Sequence, residues 1–419
     1  MRSRFTLAAS VVIAMSAAML AAAAAFAQAS AGPKAYIGLF KDNAIAVVDT
    51  STNRLLSMIP IPPGPHGLVV TPDGRTVFAS SDGDSKVSVI DTATDAVRAT
   101  IEVGTSPHGL AITPDGRTVL AAVFGANGVV FIDAYSGHVL GKVPVASPHN
   151  IAVTPDGRAA YVASQAKGAF ALVIVDIPGI KKTGSVALDK MPRALNVSPD
   201  GTKLYFTLAG ADAVQVLDIA SGTITGQVPV GASPHYPLFD SSRGSALVVS
   251  QGPGVLTVID GSKDAAKGTV KVGTLPHWIA IAPGGRFAYV TNEGSNDLSV
   301  VNLDTLSVVA TVPVGNAPRK IVVQPAAGAA STPSMAPLRT EISGFAFTDP
   351  IRVEAGQTVS WTNRDPVPHT VTSDTGLWDS GDIAAAGTFT RRFEVPGTYA
   401  YHCGNHPAMQ ATIVVSAGP

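Results

Sequence analysis

The chain repeats itself. "PHGLVVTPDGRTVFASSDGDSKVSVIDTATDAVRATIEVG" from Pro65 returns as "PHGLAITPDGRTVLAAVFGANGVVFIDAYSGHVLGKVPV" from Pro107, and the unit starts again at Pro148, Pro192, Pro234 and Pro276. A partial copy, "PRKIVVQP", starts at Pro318, and successive starts lie 42, 41, 44, 42, 42 and 42 residues apart. A fixed period of this length means that each unit is one supersecondary element that buries its apolar faces against its neighbours.

Each unit reads as four strands. In the first copy these are "GLVVTP", "TVFASS", "KVSVIDT" and "AVRATIEVG", with a PDG turn between the first two. Their β-branched residues and Gly, Asp and Pro punctuation suit strands and turns. An acid or its amide closes the third strand: Asp49, Asp91, Asp133, Asp176, Asp218, Asp260 and Asn302. A short acceptor there can bond the following amides and set the turn, so these residues read as structural. The N-terminal segment "AYIGLFKDNAIAVVDTSTNRLLSMIPI" supplies three strands without a first, and "KIVVQP" supplies a first without the rest. Joined, they make a seventh unit and close a ring, which removes the exposed edges of an open stack. The expectation is an all-β chain with a seven-bladed β-propeller over 30–325. Residues 289–292 spell "YVTN", and the repeat resembles the YVTN-type bacterial propeller family from about Lys34 to Gln324. That resemblance implies the fold and leaves activity open.

Each repeat begins with Pro and then a basic side chain: His66, His108, His149, Arg193, His235, His277 and Arg319. Five of the nine histidines share this register. The first strand of a propeller blade lines the central channel, so the seven side chains are expected near one mouth. One reading is repeat chemistry, with Pro fixing a turn and His capping a neighbouring backbone group. The other is a functional ring, in which imidazoles could bind a metal or the arginines an anion or acidic partner.

Residues 1–29 read as a secretory signal: Arg2 and Arg4 precede an Ala/Val/Met-rich run that ends in small residues at "AAAFAQAS". A retained membrane anchor is the alternative. Removal would leave a soluble, exported protein, most simply periplasmic, with no stable membrane span. It would also leave 27 basic against 30 acidic residues. That balance gives no basic field and argues against a nucleic-acid partner.

"AAGAASTPSMAPL" lacks any periodicity and reads as a linker over 326–338. From 339 to 419 the repeat is gone. "RVEAGQTVSWTNRD", "HTVTS", "GTFTRRFEV", "GTYAYHC" and "ATIVV" read as strands of a small antiparallel sandwich. In "YAYHC" side chains alternate, so Tyr399, Tyr401 and Cys403 face one way, Ala400 and His402 the other. Cys403 is the only cysteine of the chain and thus has no disulfide partner. A tight loop bent by Gly404 and Pro407 returns His406 and Met409 to it, giving thiolate, imidazole and thioether within seven residues. His369, opening the strand "HTVTS", is the candidate for a second imidazole. Two His, one Cys and a weak Met are the ligand set of a blue-copper electron-transfer site. Zinc is a poorer fit, since thioether is not among its usual ligands, and c-type haem needs a second cysteine. His402 reads as a non-ligand, His138 as a loop residue, and Trp361 and Tyr401 as core.

"GQTVSWTNRD", "PHTV", "PGTYAYHC" and "HPAM" together resemble the cupredoxins, most closely the amicyanin-like group. The resemblance implies one copper, with His369, Cys403 and His406 as equatorial ligands and Met409 as axial ligand. It implies His406 as the electron port and a redox partner protein. A filled ligand set suits a one-electron carrier, with the propeller as docking or partner-binding module. Two alternatives stand beside it. One is a two-centre, copper-dependent oxidoreductase with a second metal or anion site at the propeller ring. The other is a non-redox envelope binding protein.

Overall fold

The computed structural model describes residues 33–326, 338–354, 357–393 and 397–416. The signal-like segment and almost all of the linker lie outside them. The chain divides into two compact units, Met1–Ala329 and Ala330–Pro419, and both are built from strands.

The first unit is a set of seven four-stranded antiparallel sheets. Six are continuous in sequence. The remaining sheet is closed by the last repeat, because Pro318–Val323 pairs antiparallel with Lys34–Leu39, Tyr36 opposite Val322. Within each blade the two middle strands are buried along almost their whole length, as in Ala44–Asp49 and Thr76–Ser81. Residues on both of their faces pack against the neighbouring blades, which explains their near-continuous apolar sequence. Each such Val, Leu or Ile side chain contributes about 1.5–3 kcal/mol on burial. Fourth strands are exposed except at one apolar residue near the end, such as Ile59, Ile101, Val143 or Val312. The Asp or Asn closing each third strand accepts amide hydrogen bonds from the turn that follows. Asp91 binds Ala93 and Thr94, and Asn302 binds Asp304 and Thr305.

The innermost strand of each blade carries a bulge just after its proline. In the first repeat Pro65 pairs with Ser81 and Leu68 with Ala79, so His66 and Gly67 together oppose one residue, Ser80. The Ser80 hydroxyl accepts the Gly67 amide and donates to the His108 carbonyl of the next blade. Thr207 and Thr291 make the same connection to His235 and Arg319. A bulge re-aims the residues it contains. Here it turns the register residues out of the ladder, and in these three blades a hydroxyl bonds the backbone carbonyl of the next blade's register residue.

The second unit is a sandwich of a three-stranded sheet and a four-stranded sheet. Between them lies an apolar core that includes Trp361, Tyr401, Cys403, Met409 and Ile413. Three readings are corrected. The sandwich is mixed rather than antiparallel throughout, because Leu338–Ile342 runs parallel to Gln357–Asn363 and Ile351–Glu354 parallel to His406–Ser416. The segment expected as one strand from His369 is a strand only at Thr372–Ser373. His369 itself sits in an isolated bridge to Ile383. The last strand begins at His406, and not after Met409, and runs to Ser416. Cys403 pairs with His406 while His402 pairs with Gln410, so a pronounced register shift accommodates residues 407–409. The proline in this stretch has no amide to give to a ladder, which explains the shift.

Candidate metal centre

Three donor atoms converge beside the core of the sandwich. Cys403 Sγ lies 3.7 Å from His369 Nδ1 and 3.5 Å from His406 Nδ1, and the two imidazole nitrogens are 3.1 Å apart. A point in the plane of this triangle is about 2 Å from all three atoms, the length of a bond from a first-row transition metal to nitrogen and close to that for sulfur. Met409 is buried in the same apolar cluster as Cys403. The residues present therefore fit a single ion.

Each donor is held by its surroundings. Asn363 donates to the Val367 and Ile383 carbonyls and accepts the Asp365 amide, which shapes the loop. Asp365 then lies 2.9 Å from His369 Nε2. A carboxylate only accepts, so Nε2 carries the proton and the Nδ1 lone pair faces the site. Asp365 also accepts the amides of Phe345 and Gly344, at 2.8 and 2.7 Å. These amides, the Phe345 one first, hold its carboxyl below the usual range, although burial opposes them; His369 adds to the effect. The Thr370 amide donates to Cys403 Sγ at 3.2 Å. Phe345, itself 53% exposed, sets its ring perpendicular to both imidazoles, with centroids 5.4 Å from His369 and 5.0 Å from His406. His406 is half-buried and flanked by exposed Pro407 and Ala408. His402 points away and bonds Asp374 at 2.6 Å.

Sequence reading missed Asp365 and Phe345. Asp365 had a signal, since it stands four residues before His369 in "NRDPVPH". Phe345 had none, because it reaches the site from a separate loop.

The propeller ring is not seven-fold even. His66, His108 and His149 form one cluster, each offering a ring nitrogen within 4.8 Å of the others. His235 and His277 form a pair with ring centroids 3.9 Å apart. Arg319 is paired with Glu293 at 2.9 Å, whereas Arg193 reaches only Ser233 and Gln251. A cavity of about 280 Å³ is lined by His66, His149, Arg193, His235, His277 and Arg319, together with Lys320 and Glu293. Burial pushes His66 and His277 well below the usual imidazole value, His149 to about 4 and His235 to about 3, and neighbouring cationic groups add to it. His108 is lowered by burial against the opposing Asp82 carboxylate. The buried Lys320 ammonium, 4.0 Å over the Trp278 ring, is lowered by burial to about 7.

Fold and site define a class: a β-propeller followed by a cupredoxin. The YNCE-like beta-propeller family matches residues 10–113 and 77–330. The family of copper binding proteins of the plastocyanin/azurin type matches 338–416. The chain belongs to the YNCE-like beta-propeller family and carries a plastocyanin/azurin-family copper-binding domain at its C-terminus. Amicyanin-alpha of Methylorubrum extorquens is 34% identical over 99 residues, 22% of this chain and 83% of that protein. Amicyanin of Paracoccus denitrificans is 36% identical over 75 residues, 16% of this chain and 56% of that protein. Among solved structures, a chain of Kuenenia stuttgartiensis hydrazine synthase superimposes with a TM-score of 0.59 at 20% identity, covering 64% of this chain and 91% of its own. A functionally unknown protein from Desulfotomaculum acetoxidans gives 0.59 at 14% identity, covering 69% and 98%. These two show the fold alone. The C-terminal unit is a blue-copper electron-transfer domain with a copper site, and the cluster of His369, Cys403, His406 and Met409 fits a type 1 centre. Among the described residues no helix is long and apolar enough to cross a membrane.

Proposed function

We propose that this is an exported one-electron carrier in which His369, Cys403 and His406 would hold copper, with Met409 as its weaker fourth ligand. The propeller serves as the module that docks a redox partner. The observation that carries this reading is the triangle of 3.1, 3.5 and 3.7 Å between two imidazole nitrogens and one thiol sulfur. Bound copper would supply a one-electron couple.

The residues around it account for the rest. Asp365 fixes the His369 ring, and the Thr370 amide bonds the sulfur, so the donors keep one arrangement whichever charge the ion carries. Small rearrangement favours fast electron exchange, and a filled ligand set leaves no position for a substrate. The apolar core excludes water from behind. The outer edge of His406, with Phe345, Pro407 and Ala408 around it, offers an apolar contact face for a partner. Export is supported by the basic and apolar N-terminal sequence.

The test is copper loading of the full chain. An intense visible band from thiolate-to-copper charge transfer, bleached reversibly by one electron per chain, is expected. A copper-loaded sample with no such band would overturn the reading.

A further inference from the structure

The strongest unassigned feature is the histidine cluster at the propeller channel. Its three members come from the innermost strands of consecutive blades, Pro65–Val70, Pro107–Ile112 and Pro148–Val153. Why these three meet is written one residue further along each strand. That position holds Gly67 and Gly109 in the first two blades but Tyr236, Trp278 and Lys320 across the ring. A Cβ at Gly67 would lie 2.3 Å from the His108 carbonyl oxygen, and one at Gly109 2.5 Å from that of His149. Glycine thus permits the close approach that gathers the imidazoles. On the far side Tyr236 stacks on Trp278 at 3.6 Å and Lys320 covers the same indole.

We propose that His66, His108 and His149 form a second metal site, an all-imidazole one for a divalent transition ion such as Cu(II) or Zn(II). Three features favour it. The ring centroids are 4.5, 5.1 and 5.2 Å apart, the spacing found between His369 and His406, 4.7 Å. Second, His108 Nε2 lies 2.9 Å from Asp82 Oδ1. The carboxylate accepts a hydrogen bond from Nε2–H, which keeps the proton on that nitrogen and leaves the Nδ1 lone pair inward, the same arrangement Asp365 gives His369. His149 Nδ1 lies 3.2 Å from the Arg193 carbonyl oxygen and 3.0 Å from the Asn150 side-chain amide nitrogen; the tautomer that donates Nδ1–H to the carbonyl leaves the Nε2 lone pair for the ion. Third, Nδ1 of His66 and Nδ1 of His108 are buried without a hydrogen-bond partner. A buried unsatisfied polar atom costs about 1–3 kcal/mol, and an ion is one of the groups that answers such a vacancy in bonding.

The charges nearby act both ways: Arg193 and Lys320 line the same cavity and oppose a cation, and two other groups offset them. Arg319 is answered by Glu293, and Asp82 stands directly behind His108. Neutral imidazoles suit Zn, Cu, Fe or Ni, and three protein ligands leave a position open toward the channel. His235 and His277 have no third imidazole and do not make such a site.

The site is independent of the cupredoxin centre, and the experiment scores the two separately. Full-length protein is saturated with Cu(II) alone, and in parallel with Zn(II) alone, then dialysed and its metal counted. Two coppers per chain are expected, only one contributing to the visible band, the other giving a paramagnetic resonance signal without thiolate character. His66→Ala, His108→Ala and His149→Ala should each reduce two ions to one with the band intact. Asp82→Asn keeps all three ligands and should weaken the second site 10- to 100-fold, which preserves the test if an alanine variant does not fold. One copper per chain at saturation, or two in every variant with unchanged affinity, would overturn the proposal. So would stoichiometric binding of inorganic phosphate at the channel with no metal there, which would make it an anion site.

Discussion

Two histidine-bearing triangles sit in one chain and are built by opposite means. In the cupredoxin the donors are unlike, two nitrogens and a sulfur, and their edges span 3.1–3.7 Å. They come from non-repeating segments, and His369 and Cys403 are each fixed by a hydrogen bond from outside the triangle. In the propeller the donors are alike, come from one register of a repeat, and approach only to within 4.8 Å. A repeat places the same side chain at the same height on every blade. Which of those side chains meet is decided by what stands beside them. A unique sequence can set each donor separately and so reaches tighter geometry.

The largest effect that separates the two belongs to Cys403→Ser. It should abolish the visible band and one-electron exchange completely, since oxygen gives no thiolate charge transfer. The unfolding temperature of the propeller should not change, because Cys403 belongs to the sandwich core. Residual intense colour in this variant would place the chromophore elsewhere and break the comparison at its root.

Acid should act on the propeller. His235 is pushed by burial to about 3, against about 6.5 for an unperturbed imidazole. Above 6.5 both folded and unfolded forms are neutral, and nothing is gained or lost. Below it the unfolded chain binds a proton that the folded one refuses, so stability falls with pH at about 1.4 kcal/mol per unit for this group. Between pH 6.5 and 5 that amounts to about 2 kcal/mol. Thermal unfolding followed from pH 7 to 5 should show a shallower loss in His235→Gln than in wild type. Equal slopes would mean that this ring is hydrated in solution.

Gly67→Ala sharpens the contrast by attacking the approach of two blades. Its Cβ would meet the His108 carbonyl at 2.3 Å, and backbone must move. A loss of about 1–3 kcal/mol in propeller stability is expected, together with weaker binding of the second metal and an unchanged visible band. If metal binding at the channel survives intact, glycine is not what gathers the imidazoles.

How far the sequence could be read follows from the same contrast. The blades were legible because turn chemistry and strand pattern recur seven times, and ring closure followed from three strands at one end and one at the other. The four residues His369, Cys403, His406 and Met409 stood out because three of them fall within one short stretch. Asp365 was close enough in sequence to be noticed but gave no sign of its bond to His369 until the loop was folded. Phe345 lies far upstream in a segment without pattern. The division of the ring into three imidazoles and a pair depends on Gly67, Gly109, Tyr236 and Trp278. Their effect is a matter of contact between blades, which no periodicity within one strand encodes. Lys320, one residue past Arg319, was invisible for the same reason.

The smallest expected effect bears on the tight triangle itself. His402 is adjacent to Cys403 in sequence, yet alternation along Gly397–Cys403 turns it outward, where it meets Asp374 at 2.6 Å. The pair is half exposed, with side-chain accessibilities of 34% and 44%, and such surface pairs contribute about 0–1 kcal/mol. His402→Gln should therefore lower the stability of the sandwich by less than about 1 kcal/mol and leave the energy and intensity of the visible band as they are. Absorption and unfolding measured on the same copper-loaded sample distinguish the cases. A shifted band would mean that the strand does not hold its alternation up to Cys403, and that the sulfur owes its position to the metal rather than to the sheet.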